Sequence, residues 1–375
     1  MRLGVNTRLL LDEKLEGIGY FALQLLNRMA VSHPEDEFVF FFDRKYSRKF
    51  VFSKNVKPVV IPLPTRHPVL WKVYFDYLLP VYCHLYNIDV FFSPENYIPR
   101  VKSIPTICTI HDLNFMHNKK YIGSSSHQKY FMKYFPKNAL ECKKIVTVSE
   151  FSKKDIVNKM EVPTGKVHVV YNAANPLYEP KSEQDNQKTK DKYTQGKDFF
   201  YFVGAIHKRK NLVGIFEAFD LFKKATHSDV KLVVVGNKKW WEEDIAKAYE
   251  SMQYKEDVVF TGRMEAEQLA YVVSASLGLV FPSFFEGFGI PVVEAFQSHT
   301  PVITSNTTSL PEVAGDAALL VDPHNSQEIA DAMKTLYQDK EIKQNLINKG
   351  IEQNKLFSWD ESSEKLWKII KSCKK

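Results

Sequence analysis

From end to end, short runs rich in Val, Ile, Phe and Tyr alternate with stretches of helical period. That alternation predicts an α/β fold with parallel sheets, because neighbouring parallel strands need a long crossover that is usually a helix. A sandwich or barrel is not expected, since helical segments separate most of the strand-like runs. The first series of strands is expected at Arg2–Asn6, Phe38–Phe42, Pro58–Ile61, Val90–Ser93, Thr106–Ile110, Ile145–Val148 and Val167–Tyr171. A second begins at Phe199–Val203 and continues through Lys231–Val235, Val258–Thr261, Leu277–Phe281, Val302–Thr304 and Ala318–Val321. Lys181 to Lys197 is nearly all polar, cannot bury a core, and reads as an exposed linker or loop. A chain of 375 residues suits two domains. The expected architecture is two Rossmann-like doubly wound domains, residues 1–175 and 176–357, with the last segment, 358–375, forming a terminal helix on a Leu366/Ile369/Ile370 face.

Composition narrows the function classes. No apolar run reaches the roughly 18 residues that span a bilayer, and the N-terminus lacks the regions of a signal peptide. Cys83, Cys108, Cys142 and Cys373 are scattered with no C-x-x-C, as expected of free thiols in a reducing cytoplasm. The formal net charge is +7, with lysines at 119, 120, 129, 133, 137, 143 and 144 and aromatics interleaved at Tyr121, Tyr130, Phe131, Tyr134 and Phe135. Lys129, Lys133 and Lys137 share a helical face. That face either touches anionic headgroups or a lipid-linked phosphate acceptor at the cytoplasmic membrane, or is merely solvated with its aromatics in the core. Nucleic acid is not an expected partner, because no RNA- or DNA-binding motif accompanies the charge.

The chemistry-bearing stretch is Pro282 to Ala295. It reads as strand end, Gly-rich loop and helix start, with Pro291 in the first helical turn. Gly287, Phe288 and Gly289 let a ligand approach backbone, and a helix N-terminus suits phosphate. Glu286 lies before the loop and Glu294 about a turn inside the helix, both able to accept hydroxyl hydrogen bonds. A phosphate cradle with two hydroxyl acceptors suits a sugar nucleotide; a tight turn with two solvated glutamates is the bland alternative. Gly204-Ala205-Ile206-His207-Lys208-Arg209-Lys210-Asn211 follows the first strand of the second series, where open α/β sheets bind ligands. Arg209 and Lys210 can hold a diphosphate, and Asn211 can cap the next helix. Gly262, with Gly236-Asn237, ends neighbouring strands. In the first half, His111-Asp112 ends a strand, Gly17-Ile18-Gly19-Tyr20 forms a loop before a helix at Phe21–Met29, Ser93-Pro94-Glu95-Asn96 ends a strand on the acceptor side, and Ser149 reads as an N-cap.

Together these motifs resemble glycosyltransferase family 4, the retaining transferases of GT-B fold with an E-x7-E motif. The resemblance runs from Gly17 to Trp359 and is densest from Phe260 to Pro323. It implies an interdomain cleft and a C-terminal helix crossing back with Trp359 at the crossing. It also implies that Arg209 and Lys210 hold the nucleotide diphosphate, that Gly262 contacts the base, and that His111 contacts the donor sugar near the reacting carbon. Gly17 and Gly19 are implied to approach the sugar-phosphate and acceptor. Ala205 stands where many relatives carry Arg, and His299 stands where a glycine stop is common. His in a left-handed stop costs about 1 kcal/mol more than Gly. The chain lacks D-x-D, so a metal-independent hexosyltransferase is expected, with a GDP- or UDP-sugar of mannose or glucose type as donor and no other cofactor. The acceptor is expected to be a glycan or lipid-linked intermediate of cell-surface polysaccharide or lipopolysaccharide. An epimerase or phosphorylase on the same fold, or a catalytically silent sugar-nucleotide-binding subunit, remain the alternatives.

Overall fold

The computed structural model describes all residues except 13, 14, 16, 66, 118–124, 238–240 and 375; the side chains of 68 and 125–131 also lie outside the described set. The chain divides into two compact units, Met1–Asn172 with Ser358–Lys375, and Ala173–Phe357.

The first unit is built on seven parallel strands: β1 (Arg2–Asn6), β2 (Glu37–Phe42), β3 (Val56–Val60), β4 (Val90–Ser93), β5 (Thr106–Thr109), β6 (Lys144–Thr147) and β7 (Val167–Val169). Their spatial order is β3-β2-β1-β4-β5-β6-β7. The second unit has six: β8 (Phe199–Val203), β9 (Lys231–Val235), β10 (Val258–Gly262), β11 (Gly278–Phe281), β12 (Val302–Ser305) and β13 (Leu319–Val321), in the order β10-β9-β8-β11-β12-β13. Each expected strand is present, with no end shifted by more than two residues. Both sheets reverse direction of growth beside their first strand, between β1 and β4 and between β8 and β11. That reversal is the doubly wound signature, and it opens a crevice at the carboxyl ends of the two strands. Runs such as Phe38–Phe42 and Phe199–Phe202 are fully or almost fully buried. Strands covered by helices on both faces need no polar alternation.

In the first unit, the helix Trp359–Lys371 returns to pack on the helix Gly17–Ser32. Trp359 meets Phe21 and Tyr20 edge-on, and Arg28 donates to Asp360 at 2.7 Å.

Two expectations need correction. The polar stretch 181–197 is not a loop: Glu183–Thr194 is an α-helix packed on the helix Ala266–Ala275. Ser182 caps it by accepting from the Asp185 N–H, acidic residues occupy its first turn, and only Thr189 and Thr194 need burial. The Gly17–Gly19 segment is not a loop either, since the helix already begins at Gly17. A Cβ on Gly19 would stand 2.7 Å from the Leu9 carbonyl oxygen, so glycine is there for close packing. His299 does adopt a left-handed conformation (φ 54°). Of the basic stretch, 118–124 and the side chain of Lys129 lie outside the described residues. Lys133, Lys137, Lys143 and Lys144 lie within them, the first two on the helix Ser125–Glu141.

Candidate active site

In the second unit the loops after β8 and β11 meet at the crevice. Asn211 fastens the first of them. It sits in the left-handed region (φ 59°), caps the helix Leu212–Thr226 by accepting from the Gly214 N–H, and donates to the carbonyls of Pro282 (3.1 Å) and Pro323 (2.6 Å). The Phe284 N–H in turn donates to the Arg209 carbonyl (2.9 Å). These bonds bring side chains 76 and 77 positions apart into contact. Lys210 Nζ lies 2.6 Å from Glu286 Oε1, and Arg209 Nη1 lies 3.1 Å from Glu286 Oε2 and 2.7 Å from the Phe285 carbonyl. Lys208, the third cation, turns away to Glu242 and Asp244.

Glu286 is therefore not one of the two solvated glutamates of the bland alternative. It is 7% exposed and clasped by the two cations expected to hold phosphate. Burial pushes its carboxyl up. The charges of Lys210 and Arg209, with a hydrogen bond from Lys210, more than offset that and hold it below the ordinary range. Its backbone is pinned as well: the Glu286 N–H donates to Thr308 Oγ1 (3.2 Å), and Ser309 Oγ donates to the carbonyls of Glu286 and Phe288 (both 2.9 Å). Thr308 and Ser309 are contributors that sequence reasoning missed. Their only signal is two hydroxyls ahead of Leu310-Pro311, which looks like an ordinary helix cap.

The loop Gly287-Phe288-Gly289 then enters the helix Ile290–Gln297. Gly289 has φ 113°, and a Cβ there would meet Leu310 Cδ2 at 2.6 Å. Glu294 lies one turn in, half-buried and with no cation opposite it among the described residues. Burial alone raises its carboxyl to about 8. The Gly-rich loop and one helical turn thus separate two glutamates of opposite character, one whose pKa is lowered by cations and one whose pKa is raised by burial. Gly204, Gly236 and Gly262 end the adjacent strands β8, β9 and β10. The Gly236 N–H donates to the Gly262 carbonyl (3.0 Å), and a Cβ on Gly236 would fall 2.1 Å from the Gly204 oxygen. Backbone, not side chain, lines this flank of the crevice.

The first unit repeats the arrangement at its own crevice. Asn6, beyond which the chain leaves β1, donates to Ser93 Oγ (3.0 Å) and Glu95 Oε1 (2.7 Å). Arg8 forks onto Glu95, with Nη2 2.6 Å from Oε2, and reaches Thr65 Oγ1 at 3.2 Å. Thr65 donates to Asp43 (2.6 Å). Sequence reasoning noted Glu95 and missed Arg8 and Asp43. His111 follows β5; its Nε2 is 2.9 Å from the Pro94 carbonyl, and its ring stands edge-on to Phe21. Burial lowers its pKa, so the ring is neutral. A bond to a carbonyl needs the proton on Nε2, which leaves Nδ1 as an acceptor. Asp112 accepts from the Asn114 N–H, a local cap, and Ser149 caps the helix Glu150–Met160 as expected.

Residues 16–176 match the family model described as Glycosyltransferase Family 4, and residues 183–353 that of Glycosyl transferases group 1. The O-antigen chain mannosyltransferase RfbU of Salmonella typhimurium is 30% identical over 72% of this chain and 71% of its own. The chain belongs to glycosyltransferase family 4. Within the family, O-antigen chain mannosyltransferase B of Escherichia coli is 27% identical over 92% of this chain and 93% of its own. Anabaena HepE, solved in complex with UDP-glucose, has a TM-score of 0.73 at 15% identity over 99% of this chain and 100% of that one, a likeness that shows the GT-B fold. The Arg209–Lys210–Glu286 cluster and the 287–294 segment thus lie in a glycosyltransferase. Among its described residues no helix is long and apolar enough to cross a membrane.

Proposed function

We propose that this glycosyltransferase moves a hexose, mannose before glucose, from a nucleoside diphosphate sugar to a glycan or lipid-linked acceptor of cell-surface polysaccharide or lipopolysaccharide, with retention and without a divalent metal. The observation that carries the donor reading is the pair Arg209–Lys210 at the second unit's crevice, beside the N-terminal end of the helix Ile290–Gln297. The diphosphate would take both cations and the positive end of the helix dipole. Charge that builds on the leaving phosphate would then be met by fixed partners. Glu294 is suited to the ribose hydroxyls and Glu286 to hydroxyls of the donor sugar. Gly204 and Gly262 are suited to the nucleotide through backbone. His111, with Nδ1 as acceptor, is suited to a sugar hydroxyl, and Gly17 and Gly19 to the sugar-phosphate side. The first unit's Arg8–Glu95 network is suited to the acceptor. Absence of D-x-D supports cations and amides in place of a metal. The mannose preference is supported by the two O-antigen mannosyltransferases that the chain resembles, and a nucleotide-sugar donor by the ligand of HepE. A peripheral contact with the cytoplasmic face of the membrane completes the reading.

The test supplies purified protein with GDP-mannose or UDP-glucose, with and without excess chelator, and reads the anomeric configuration of the product by NMR. Transfer or slow hydrolysis from one donor, with retained configuration and a rate largely intact in chelator, is expected. Inverted product, or activity lost in chelator and restored by Mg²⁺, overturns the reading.

A further inference from the structure

The segment Pro68–Leu85 leaves an apolar face uncovered. A helix of Pro68–Val73 passes through a wider π turn, Tyr74–Leu78, into a helix of Leu79–Leu85. Pro80 lacks an N–H and crowds the carbonyl four residues back, which accounts for the π turn. Trp71, Tyr74, Phe75, Leu79 and Cys83 fill the inner face, packed in one core with Phe41 and Phe91. The outer face carries Val69, Val73, Tyr77, Val81 and Leu85, one apolar residue every four. Val69, Tyr77, Val81 and Leu85 are 63, 63, 62 and 69% exposed. Steps of four drift about 40° around a regular α-helix. The wider turn takes back part of that drift and keeps the row on the outer side. Scattered exposed apolar residues need no explanation, but a continuous row does.

Cations adjoin the row. The Arg100 N–H donates to the Phe75 carbonyl (3.1 Å), and its Nε donates to Asp76 (2.7 Å), the neighbour of Tyr77. From Arg100 the surface opens into a cavity of about 1040 Å³ lined by Lys102, Lys143, Lys144, Lys166 and Lys374 against one lining carboxylate, Glu141. Lys144 donates to the Ser372 hydroxyl and Lys166 to the Leu140 carbonyl, neutral partners that leave the charge of each lysine in place, and no carboxylate among the described residues pairs with either. Asp76 pairs with Arg100, and Asp89 stands 3.8 Å from Lys374. Cations still outnumber these carboxylates two to one.

We propose that this face seats the protein on an anionic lipid bilayer, with the Val69–Leu85 row in the headgroup region and the cations around Arg100 on lipid phosphates. A bilayer with anionic headgroups matches the apolar row and the adjoining positive field at once. The proposal rests on the membrane contact of the proposed function and gives it a definite element, the Val69–Leu85 row with cations of which Lys143 and Lys144 belong to the basic stretch 119–144, and the vesicle binding that tests it needs neither donor nor acceptor.

Full-length protein is co-sedimented with vesicles of phosphatidylcholine alone and of phosphatidylcholine with phosphatidylglycerol. Binding is expected to the mixed vesicles, weakened by salt. Tyr77→Ser with Val81→Ser should lower the partition coefficient on the order of tenfold, and Lys102→Glu with Lys143→Glu should abolish the preference for phosphatidylglycerol. All four positions are exposed, and circular dichroism checks that the variants fold. Donor hydrolysis in solution should be unchanged in both double variants, which separates failure of this seat from failure of the transferase reading. No binding of the wild type to mixed vesicles, or equal binding by both variants, overturns the proposal. So does a dimer that Tyr77→Ser with Val81→Ser converts to monomer while vesicle binding persists, which would assign the face to a second copy.

Discussion

Replacing Glu294 by Gln should change how the protein's stability depends on pH. The folded carboxyl holds its proton to about 8, against 4.5 for an ordinary glutamate. Below 4.5 both the folded and the unfolded chain are protonated, and the group is neutral to folding. Between 4.5 and 8 only the unfolded chain ionises, so the stability present at low pH drains away as pH rises. Above 8 the loss is complete. About 3.5 pH units at about 1.36 kcal/mol each set a ceiling of roughly 5 kcal/mol. Glu294 is only half-buried, so water screening brings the expected value to about 2–3 kcal/mol. Glutamine keeps the shape and loses the proton equilibrium. Variant and wild type should therefore be about equally stable at pH 4.5, and the variant more stable by that amount at pH 8.5. Urea unfolding of the two proteins at both pH values measures it, with every other titrating group cancelling in the difference. A gap that is the same at both pH values would refute burial as the force on this carboxyl. If Glu294 receives ribose hydroxyls, nucleoside diphosphate should also bind the wild type more tightly between pH 6 and 8 as the proton leaves, and the variant without that rise.

Glu286→Gln removes the carboxylate that Arg209 and Lys210 now hold. Calorimetry should find nucleoside diphosphate affinity undiminished, and kcat on the donor should fall at least about tenfold; lost affinity with kcat kept would reverse the assignment. Gly289→Ala and Gly262→Ala test space against strain. Both glycines have positive φ, but only Gly289 has an atom, Leu310 Cδ2, in the way of a Cβ. Alanine at 262 should cost about 1 kcal/mol and at 289 about 2–3 kcal/mol, read by thermal unfolding; equal costs would mean that Leu310 gives way freely.

The sheets were legible because a strand buried on both faces must be a continuous apolar run, as in Phe38–Phe42 and Phe199–Val203. The helix Glu183–Thr194 was not, because hydropathy is silent about an element that buries only two threonines; its signal was the Ser182 cap with acidic residues behind it. The Gly-rich segments drew attention as sites, and Gly289 does have a conformation that L side chains resist. Gly19 has another reason to be small, its contact with the Leu9 carbonyl. The pairing of Glu286 with Arg209 and Lys210 was hidden at the level of motif, since it needs the knowledge that β8 and β11 are neighbours. The Arg8–Glu95 fork was hidden for the same reason, across β1 and β4, with no motif to point to Arg8.

The helix Trp359–Lys371 gives the first unit an unusual history. Its own sequence ends at Asn172, yet the piece that covers the helix Gly17–Ser32 begins at Ser358. At 5–20 residues per second, a growing chain passes roughly ten to forty seconds between those two points. For that interval the surface around Phe21 and Leu25 waits without Trp359, Leu366 and Ile370. The unit that starts first is finished last, and a chain stopped at Phe357 would carry a complete second unit and a first one still open to whatever apolar surface arrives.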